Sequence, residues 1–541
     1  GTNTPQHVPI AAALVIEMAQ AGVRAFDDAV VEAFISYLAS SSAPEAAEAL
    51  GRLAEIEHTV AERLAGRSEA VNVLRMHLES LDARLAGNAA LCLSQLVRAS
   101  DTVKATFSAP STIAAIAWLL QDKHKTMAGH AAGLLANLIW EQEDNLNEAL
   151  RNRDLIPSLV NLMNDSEGGA DAALALSSIV WQSPSSHGEM VRCQGLEVIT
   201  TILAKSCSEH VARRSHASLC VAGMAAAAAK TLDDKAMGKL FDVLAATISD
   251  GPLTFDHDPI AAAARDNAAL ALANLTWHRD QTTACTLAAP RLPGALVAIV
   301  RDQQQGATCR EHSTRALANL LADAGSVHLF GNPTVLFEAL LLAMREEELL
   351  THAILALSNL FATPAIHDIV PQENNPSNQQ LVDLLASYLS EERETVAADA
   401  LNALTAIIAA GSTTARLVWT HPTVFARLTN LLRSPVDVVA QSAAKCLGEL
   451  RTAPDETRWA AGRTQGVVAS LVALLSRPNP ELVTCAARCL THLLPPNNSA
   501  SGGILQLCSI MLLESKNEAL KAGYALERAL IPQQPATEST T

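Results

Sequence analysis

The segment LALANL at residues 270–275 returns, with small changes, at near-regular intervals along a chain of 541 residues. Each copy has a Leu or Val anchor, a second apolar residue three positions later and a small residue four positions earlier. Positions −4, 0 and +3 lie on one face of an α-helix, so each copy predicts a helix that buries one stripe. A helix repeated at a fixed period predicts a solenoid of stacked units instead of one compact core.

The anchors recur about every 42 residues, a spacing typical of helical repeats. An alanine precedes each anchor by four positions, except that Ser313 precedes Leu317. These small residues predict close crossings between neighbouring helices. The anchors are Leu50, Leu93, Leu135, Leu176, Val221, Leu272, Leu317, Leu357, Leu404, Leu447 and Leu490, with Leu526 as a weaker twelfth.

Composition restricts the kinds of partner. The net charge is −17, and Lys and Arg form no long cluster, which disfavours binding to a nucleic-acid backbone. Basic peptides or basic protein surfaces suit such a charge better. The sequence contains no stretch of about eighteen apolar residues, the length that would predict a membrane-spanning helix. No membrane insertion is therefore expected.

The ten cysteines are placed like structural residues. Cys92, Cys220, Cys446 and Cys489 each stand directly before an anchor, where most other repeats have Ala. No pair has the CxxC spacing of a zinc or redox site. We therefore expect small buried side chains in a protein from a reducing compartment.

A second amphipathic segment precedes several anchors, as in LIPSLVNLM at 155–163 and VVASLVALL at 467–475. Such a segment followed by an A-x-x-A-L-x-N-L helix resembles the armadillo repeat family over residues 45–495, with a HEAT array as the near alternative. The resemblance implies an all-α, armadillo-type (ARM/HEAT-like) right-handed α-solenoid of about 11–12 repeats. In such a solenoid, the third helix of each three-helix unit would line a concave groove.

The repeat pattern predicts five segments along the chain. Two insertions interrupt the array, at 248–259 and at 365–380, and the second is predicted to be an exposed loop because it is polar and contains two prolines. The segments are an N-terminal helical cap at 1–40, the repeat array at 41–495, a linker at 496–503, C-terminal capping helices at 504–531 and a disordered tail at 532–541.

The helix face opposite the core carries position +2, which is often Asn in armadillo proteins. An Asn amide can donate to and accept from the main chain of an extended bound peptide. The resemblance thus implies a partner-binding groove at Asn137, Ser178, Asn274, Asn319 and Asn359. The chain is not close to importin alpha, which pairs each groove Asn with a Trp four residues earlier. That slot holds Gly133, Leu270, Arg315 and Leu355 here.

A different aromatic series is formed by Trp140, Trp181 and Trp277, each five residues past its anchor. These side chains are candidates for apolar or cation–π contacts at the edge of the groove. The alternative is that each packs under the loop that follows it.

Position −5 holds His130, His216, His312 and His352, and short polar residues in other repeats. One histidine per repeat is poor geometry for a single metal site, so no metal is expected. Short polar groups in this slot are interpreted as helix caps.

No P-loop, GxGxxG, HExxH or GxSxG motif is present, so neither an enzyme nor a cofactor is expected. The predicted function is a non-catalytic scaffold or adaptor that binds an extended peptide or a helix, with a basic partner favoured by charge. The alternatives are a permanent structural subunit of a large axonemal, cytoskeletal or organellar complex, and a regulatory subunit of an enzyme or chaperone. A cytoplasmic location is expected, with a cytoskeletal or ciliary one as a variant of it, and the nucleus and the interior of an organelle are open alternatives.

Overall fold

The computed structural model describes residues 7–20, 28–205, 210–249, 258–278, 282–363, 376–390, 392–410, 413–453, 457, 461, 464 and 466–493. Every regular element within these ranges is a helix, and none of the described residues forms a β-strand. The expected all-α solenoid is confirmed.

The α-helices are numbered in chain order. Short 3₁₀ helices occupy Pro184–Ser186, Ala324–Phe330 and Glu449–Thr452. The α-helices are α1 Val8–Gln20, α2 Asp28–Tyr37, α3 Ala43–Ile56, α4 His58–Ala65, α5 Ser68–Leu78, α6 Ala83–Ala99, α7 Asp101–Thr106, α8 Pro110–Leu119, α9 Lys125–Ile139, α10 Glu143–Leu150, α11 Leu155–Met163, α12 Gly169–Gln182, α13 His187–Arg192, α14 Gly195–Ala204, α15 Val211–Gly223, α16 Ala225–Thr231, α17 Asp234–Ser249, α18 Pro259–Trp277, α19 Thr283–Leu287, α20 Leu292–Arg301, α21 Ala307–Leu321, α22 Pro333–Ala343, α23 Glu347–Ala362, α24 Pro376–Tyr388, α25 Glu394–Ala409, α26 Thr413–Thr420, α27 Val424–Leu431, α28 Asp437–Gly448, α29 Val467–Leu474 and α30 Pro480–Leu493.

A three-helix unit repeats along the chain, as in the short α10, the longer α11 and the anchor-bearing α12. We call the third helix of each unit the anchor helix. Local sequence sets the helix starts: Asp82 accepts hydrogen bonds from the main-chain N–H groups of Arg84 and Leu85 at the start of α6. Pro110 and Pro259 stand at the first positions of α8 and α18, where no main-chain N–H is needed.

The chain divides into two compact units, and each is a stack of anchor helices. The first comprises residues 1–280 and 284–295, and the second comprises residues 281–283 and 296–541. Consecutive anchor helices pack directly on each other: α3, α6, α9, α12, α15 and α18 in the first unit, and α21, α23, α25, α28 and α30 in the second.

The predicted anchors form the core. All eleven from Leu50 to Leu490 are buried, and so is every small residue four positions before them, including Ser313. The weaker anchor Leu526 lies outside the described residues. The buried stripe therefore runs through consecutive anchor helices of each unit, and the Ala positions provide the close helix contacts.

The cysteines that precede an anchor are buried, as expected. Cys92, Cys220, Cys446 and Cys489 are free thiols with no solvent exposure. Burial raises the pKa of Cys92 and of Cys446 to about 12, so these thiols stay protonated.

The predicted loop at 365–380 is wrong in its last part. Helix α24 begins at Pro376 and buries Asn378, while 364–375 lies outside the described residues. The other insertion overlaps two helices, because α17 extends to Ser249 and Asp258 caps α18. The predicted N-terminal cap contains α1 and α2, and the linker, capping helices and tail predicted beyond 495 lie outside the described residues.

Among the described residues, no single helix combines the length and apolar character needed to cross a membrane. Only the bent pair Ala324–Phe330 and Pro333–Ala343 meets that criterion when its two helices are counted together.

Candidate functional site

Within each unit, the anchor helices present a polar face away from the buried stripe, and in the first unit this face also carries aromatic residues. It consists of positions −5, −2, +2 and +5 relative to each anchor, and we call it the ladder face. Positions −5 and +2 are seven residues, or about two helical turns, apart and therefore lie on the same side of the helix.

Asparagines at position +2 bind the preceding repeat. Asn137 donates from Nδ2 to the main-chain carbonyl of Ser94 at 3.0 Å, and Asn274 donates to that of Ala222 at 3.1 Å. In the second unit, Asn359 donates to the carbonyl of Ala318 at 2.9 Å.

Each of these acceptor carbonyls belongs to the residue one position past the preceding anchor, so the same contact recurs. It fixes the orientation of the amide, because a carbonyl can only accept and the NH₂ group must face it. One N–H group of each amide is thus used inside the stack, and we call this series of contacts the amide ladder.

Position −5 forms a second series of contacts between repeats. Asn88 donates to the carbonyl of Pro44 at 2.9 Å, and Nδ1 of His130 lies 3.2 Å from the carbonyl of Gly87. Asn267 Nδ2 lies 3.0 Å from Ser215 Oγ. The predicted capping role is wrong for Asn88, since its helix begins at Ala83 and it lies in the interior, where each N–H already has an intrahelical partner.

Asp171, also at −5, occupies space left by two glycines of the preceding anchor helix. A Cβ atom at Gly133 would lie 3.3 Å from Asp171 Oδ1, and one at Gly129 would lie 3.5 Å from Oδ2. Gly133 is the slot in which importin alpha carries Trp. The small residue here makes room for the neighbouring carboxyl group.

The environment shifts the pKa values of His130 and Asp171 in opposite directions. Burial and the charge of Arg52 lower the pKa of His130 to about 4, against the effect of its hydrogen bond to Gly87. Burial and the charge of Glu55 raise the pKa of Asp171 to about 6, and Arg52 partly offsets this rise. Arg52 and Glu55, which form a 3.0 Å ion pair on α3, thus act electrostatically on the ladder face.

Ser178 differs from the other predicted groove residues. Its side chain is buried, and Oγ donates to the carbonyl of Leu174 in its own helix at 3.1 Å. Because it is buried and bonded to its own helix, this hydroxyl group is not available to a partner.

The three tryptophans are exposed. The exposed fraction is 51% for Trp140, 44% for Trp181 and 71% for Trp277. The predicted alternative, burial under the following loop, does not occur. Within the described part of the chain, these large apolar side chains therefore provide uncovered contact area.

Trp181 is held in place by the next anchor helix. Its indole Nε1 donates to the carbonyl of Leu219 at 3.1 Å. A Cβ atom at Gly223 would lie 3.2 Å from Trp181 Cδ1. Gly223 occupies the +2 slot of its repeat, so the indole covers the place where other repeats put the Asn side chain.

The ladder face of the second unit is more polar. Asn319 and Asn359 are half-buried at +2, and His312 and His352 occupy −5. Burial lowers the pKa of both histidines, and the charge of Arg315 lowers it further. His352 Nε2 lies 3.9 Å from the carboxylate of Glu311.

Metal-ligand residues are not grouped in the described ranges: no three His, Cys, Asp or Glu side chains there could hold one ion. What the ladder face offers is chemistry for recognition. It has ordered amides for main-chain groups, exposed indoles for apolar or cationic side chains, and carboxylates on α3.

The fold matches solved structures, although no protein-family model and no curated protein matches the sequence significantly. One solved structure, of an armadillo protein, is described as showing a conserved phosphorylation switch that controls the interaction between cadherin and β-catenin. The chain is 15% identical to it with a TM-score of 0.66, over 91% of this chain and 97% of that one. An engineered protein matches with a TM-score of 0.55 and 21% identity, over 86% of this chain and 98% of that one. The chain has an armadillo-like fold.

Proposed function

We propose that the chain is a non-catalytic scaffold or adaptor that binds an extended protein segment along its ladder face. The observation that carries this proposal is the exposure of Trp140, Trp181 and Trp277 on the face that also holds the amide ladder. Exposed indoles beside ordered polar groups are typical of protein-binding surfaces, where Trp contributes a large share of the binding energy.

The amide ladder suits an extended segment. Each Asn amide has two N–H groups and a carbonyl oxygen, and its contact with the preceding repeat uses one N–H. The carbonyl oxygen of an ordered amide can accept from the main chain of a peptide without the entropy loss of first fixing a rotamer. An α-helical ligand has most of its main-chain groups paired internally, so an extended segment makes better use of the ladder.

The charges of the first unit favour a segment that carries both basic and apolar side chains. Glu48 and Glu55 on α3 lie at positions −2 and +5 of the ladder face, and the whole chain has a net charge of −17. The exposed faces of the tryptophans accept cations as well as apolar groups. The solved neighbour concerned with cadherin and β-catenin is consistent with protein recognition by this fold.

A peptide-display library selected on the wild-type protein would test the proposal. We expect the selected peptides to be enriched in Lys, Arg and apolar residues. Affinity, measured by fluorescence anisotropy, should fall by about thirtyfold in Trp181→Ala or Trp277→Ala, a typical effect for a Trp that dominates an interface. Asn359→Ala together with Asn319→Ala would test for contacts on the second unit.

Trp118→Ala is the matched control. Trp118 is 42% exposed, close to the 44% of Trp181, but it lies on α8, which is not an anchor helix and carries no position of the ladder face. Equal loss of affinity in the Trp118 and Trp181 variants would contradict the proposal. So would selected peptides that bind all variants as tightly as the wild type.

A further inference from the structure

Trp140 and Trp181 occupy the same position, five residues past the anchor, in two consecutive repeats. Their anchor helices, α9 and α12, pack directly on each other. Both indoles are about half exposed. An indole face attracts a cation through the quadrupole of the ring, so the pair offers two cation-binding surfaces on neighbouring repeats.

The indole of Trp181 is ordered within the folded chain. Its Nε1 donates to the carbonyl of Leu219 at 3.1 Å, and a Cβ atom at Gly223 would lie 3.2 Å from its Cδ1. The pyrrole edge of the ring is thus turned towards α15, and the six-membered ring lies away from that contact. A ring that is already fixed in one rotamer loses little conformational entropy when a ligand packs on it.

Glu141, directly after Trp140, has a main-chain conformation that is unusual for its residue type. Its φ is 58°, in the left-handed region where Gly or Asn is normally found. Its main-chain N–H donates to Oε1 of Gln182 at 3.0 Å, and Gln182 directly follows Trp181. Glu141 therefore lies on the side of α9 that faces α12, beside the residues that carry both indoles. Strained conformations of this kind cluster at functional sites.

The carboxylate of Glu141 is exposed. Within the described part of the chain it forms neither an ion pair nor a hydrogen bond. Two further exposed acids, Glu143 and Asp144, begin α10 immediately afterwards. The segment that follows Trp140 thus places negative charge next to the aromatic rings.

Two basic side chains adjoin this region from the preceding repeat. Arg98 is at position +5 of α6, and Lys104 lies on α7. The Nζ atom of Lys104 donates to the main-chain carbonyl of Trp140 at 2.6 Å. These cations approach Trp140 from the side of α6, whereas Glu141 contacts α12. The space between α9 and α12 is therefore the part that suits a positively charged ligand.

We propose that Trp140, Glu141 and Trp181 bind an arginine side chain of the partner segment, and we call these three residues the arginine site. The inference rests on the proposed function, because it is the ladder face that brings a segment to these residues. It adds the identity of one side chain that the segment must carry.

The chemistry of the arginine site favours arginine over lysine. A guanidinium group is planar, so it can stack on an indole while its N–H groups donate to the carboxylate of Glu141. It is also more weakly hydrated than the ammonium group of lysine, so transfer to an aromatic surface costs it less.

The first experiment titrates the full chain, labelled with 5-fluorotryptophan, with N-acetylarginine amide and follows the ¹⁹F spectrum. Trp140→Phe and Trp181→Phe assign the two resonances, which should shift and saturate together. N-acetyllysine amide should need about fivefold more ligand for half-saturation, the size of effect that separates good from poor exposed ion pairs. N-acetylcitrulline amide has the shape of the arginine derivative without its charge and should leave both resonances in place. The Trp118 resonance is the internal reference.

The second experiment changes the carboxylate. Glu141→Gln keeps the length of the side chain and removes its charge, so it should raise the half-saturating concentration of the arginine derivative by about fivefold. It should also remove most of the dependence of binding on salt. Glu143→Gln is the matched control and should have a much smaller effect, because Glu143 does not lie between the indoles.

Glu141→Gly separates binding from folding. Glycine adopts the left-handed conformation without steric cost, so this variant should resist urea at least as well as the wild type. It should nevertheless bind the arginine derivative as weakly as Glu141→Gln. A purely structural role of Glu141 predicts the reverse, a loss of stability with unchanged binding.

Equal binding of the arginine and citrulline derivatives would overturn the proposal. So would Trp140 and Trp181 resonances that stay in place up to the solubility limit of the arginine derivative, or unchanged affinity in Glu141→Gln. If these results occur while Trp181→Ala still weakens the selected peptides, the proposed function stands and the arginine site fails. If the arginine derivative binds as expected but no peptide is selected, the proposed function fails and the arginine site stands.

Discussion

The side-chain amide of Asn137 donates a hydrogen bond of 3.0 Å to the main-chain carbonyl of Ser94, one repeat earlier. Asn274 and Asn359 repeat the contact with Ala222 and Ala318. A residue type that the armadillo resemblance associates with partner binding thus joins consecutive repeats. This contact and the proposed binding role predict separate effects on stability and on binding.

Replacing Asn137 with Ala should lower the free energy of unfolding by about 1 kcal/mol, the typical net contribution of one such hydrogen bond. Urea denaturation followed by circular dichroism would measure this. Asn402→Ala, at an exposed site on α25, is the control and should change stability little. Equal effects in the two variants would mean that the amide ladder does not stabilise the stack.

Gly223→Asn would place an amide in the slot that the Trp181 indole covers. A Cβ atom there lies 3.2 Å from Trp181 Cδ1, so the larger side chain should displace the ring and break its bond to Leu219. With 5-fluorotryptophan labelling, the ¹⁹F resonance assigned through Trp181→Phe should shift towards the solvent-exposed value. Gly188→Asn, where no atom lies within 4 Å of the added Cβ, should leave that resonance in place.

Gly129→Ala should destabilise the contact between α9 and α12. The added Cβ would lie 2.7 Å from Gly168 Cα, and main-chain atoms cannot move aside as a flexible side chain can. We expect a loss of about 1–3 kcal/mol, as for other overpacked sites, measured by chemical denaturation. Gly188→Ala should be neutral or slightly stabilising, and a comparable loss there would contradict the steric explanation.

His130 should make the stability of the protein depend on pH. Its pKa in the folded chain is about 4, below the value of about 6.5 for an unperturbed histidine. As the pH is lowered, His130 is therefore protonated at a higher pH in the unfolded chain than in the folded chain. The free energy of unfolding consequently falls between about pH 6.5 and about pH 4. His130→Gln should remove this contribution, so the urea midpoint of the wild type, taken relative to that of the variant, should fall as the pH is lowered through this window. An unchanged slope would mean that His130 is not held in its neutral form.

Asp171 should act in the opposite sense. Its pKa is raised to about 6, so ionisation in the folded chain opposes stability as the pH rises from about 4 to about 6. Asp171→Asn should therefore stabilise the protein at pH 7 by at most about 3 kcal/mol, since the pKa is raised by about two units and one unit corresponds to about 1.4 kcal/mol. The gain should vanish below about pH 4, where the wild-type carboxyl is protonated in both states. A gain that persists there would have another cause.

The candidate site could be predicted from the sequence in part. The positions of Asn137, Asn274 and Asn359 on one helix face follow from the period of the anchors, and the structure places them there. Its position places Ser178 on the same face, yet its hydroxyl is buried and donates to the carbonyl of Leu174 in its own helix. The position of a residue in the repeat determines where its Cα atom lies, whereas the rotamer of its side chain depends on which hydrogen-bond acceptor is near.

The contacts at position −5 also follow a regular pattern in the sequence. Polar residues recur there from repeat to repeat, seven residues before the +2 slot and on the same side of the helix. This regularity fits a bond to the neighbouring repeat better than a helix cap. Asn88 makes such a bond to Pro44, which is 44 residues earlier in the sequence.

The sequence by itself determined that this protein is a stack of similar helices. The reason is physical. Each helix carries an apolar stripe that is visible in its local sequence, and because the stripe is repeated, packing against neighbouring units of the same kind removes it from water. The tertiary structure alone decided what the remaining side chains do. Asp171 packs against Gly133, and Trp181 packs against Gly223. The residues of each pair are about 40 positions apart in the sequence, so their contact depends on the register in which neighbouring helices stack.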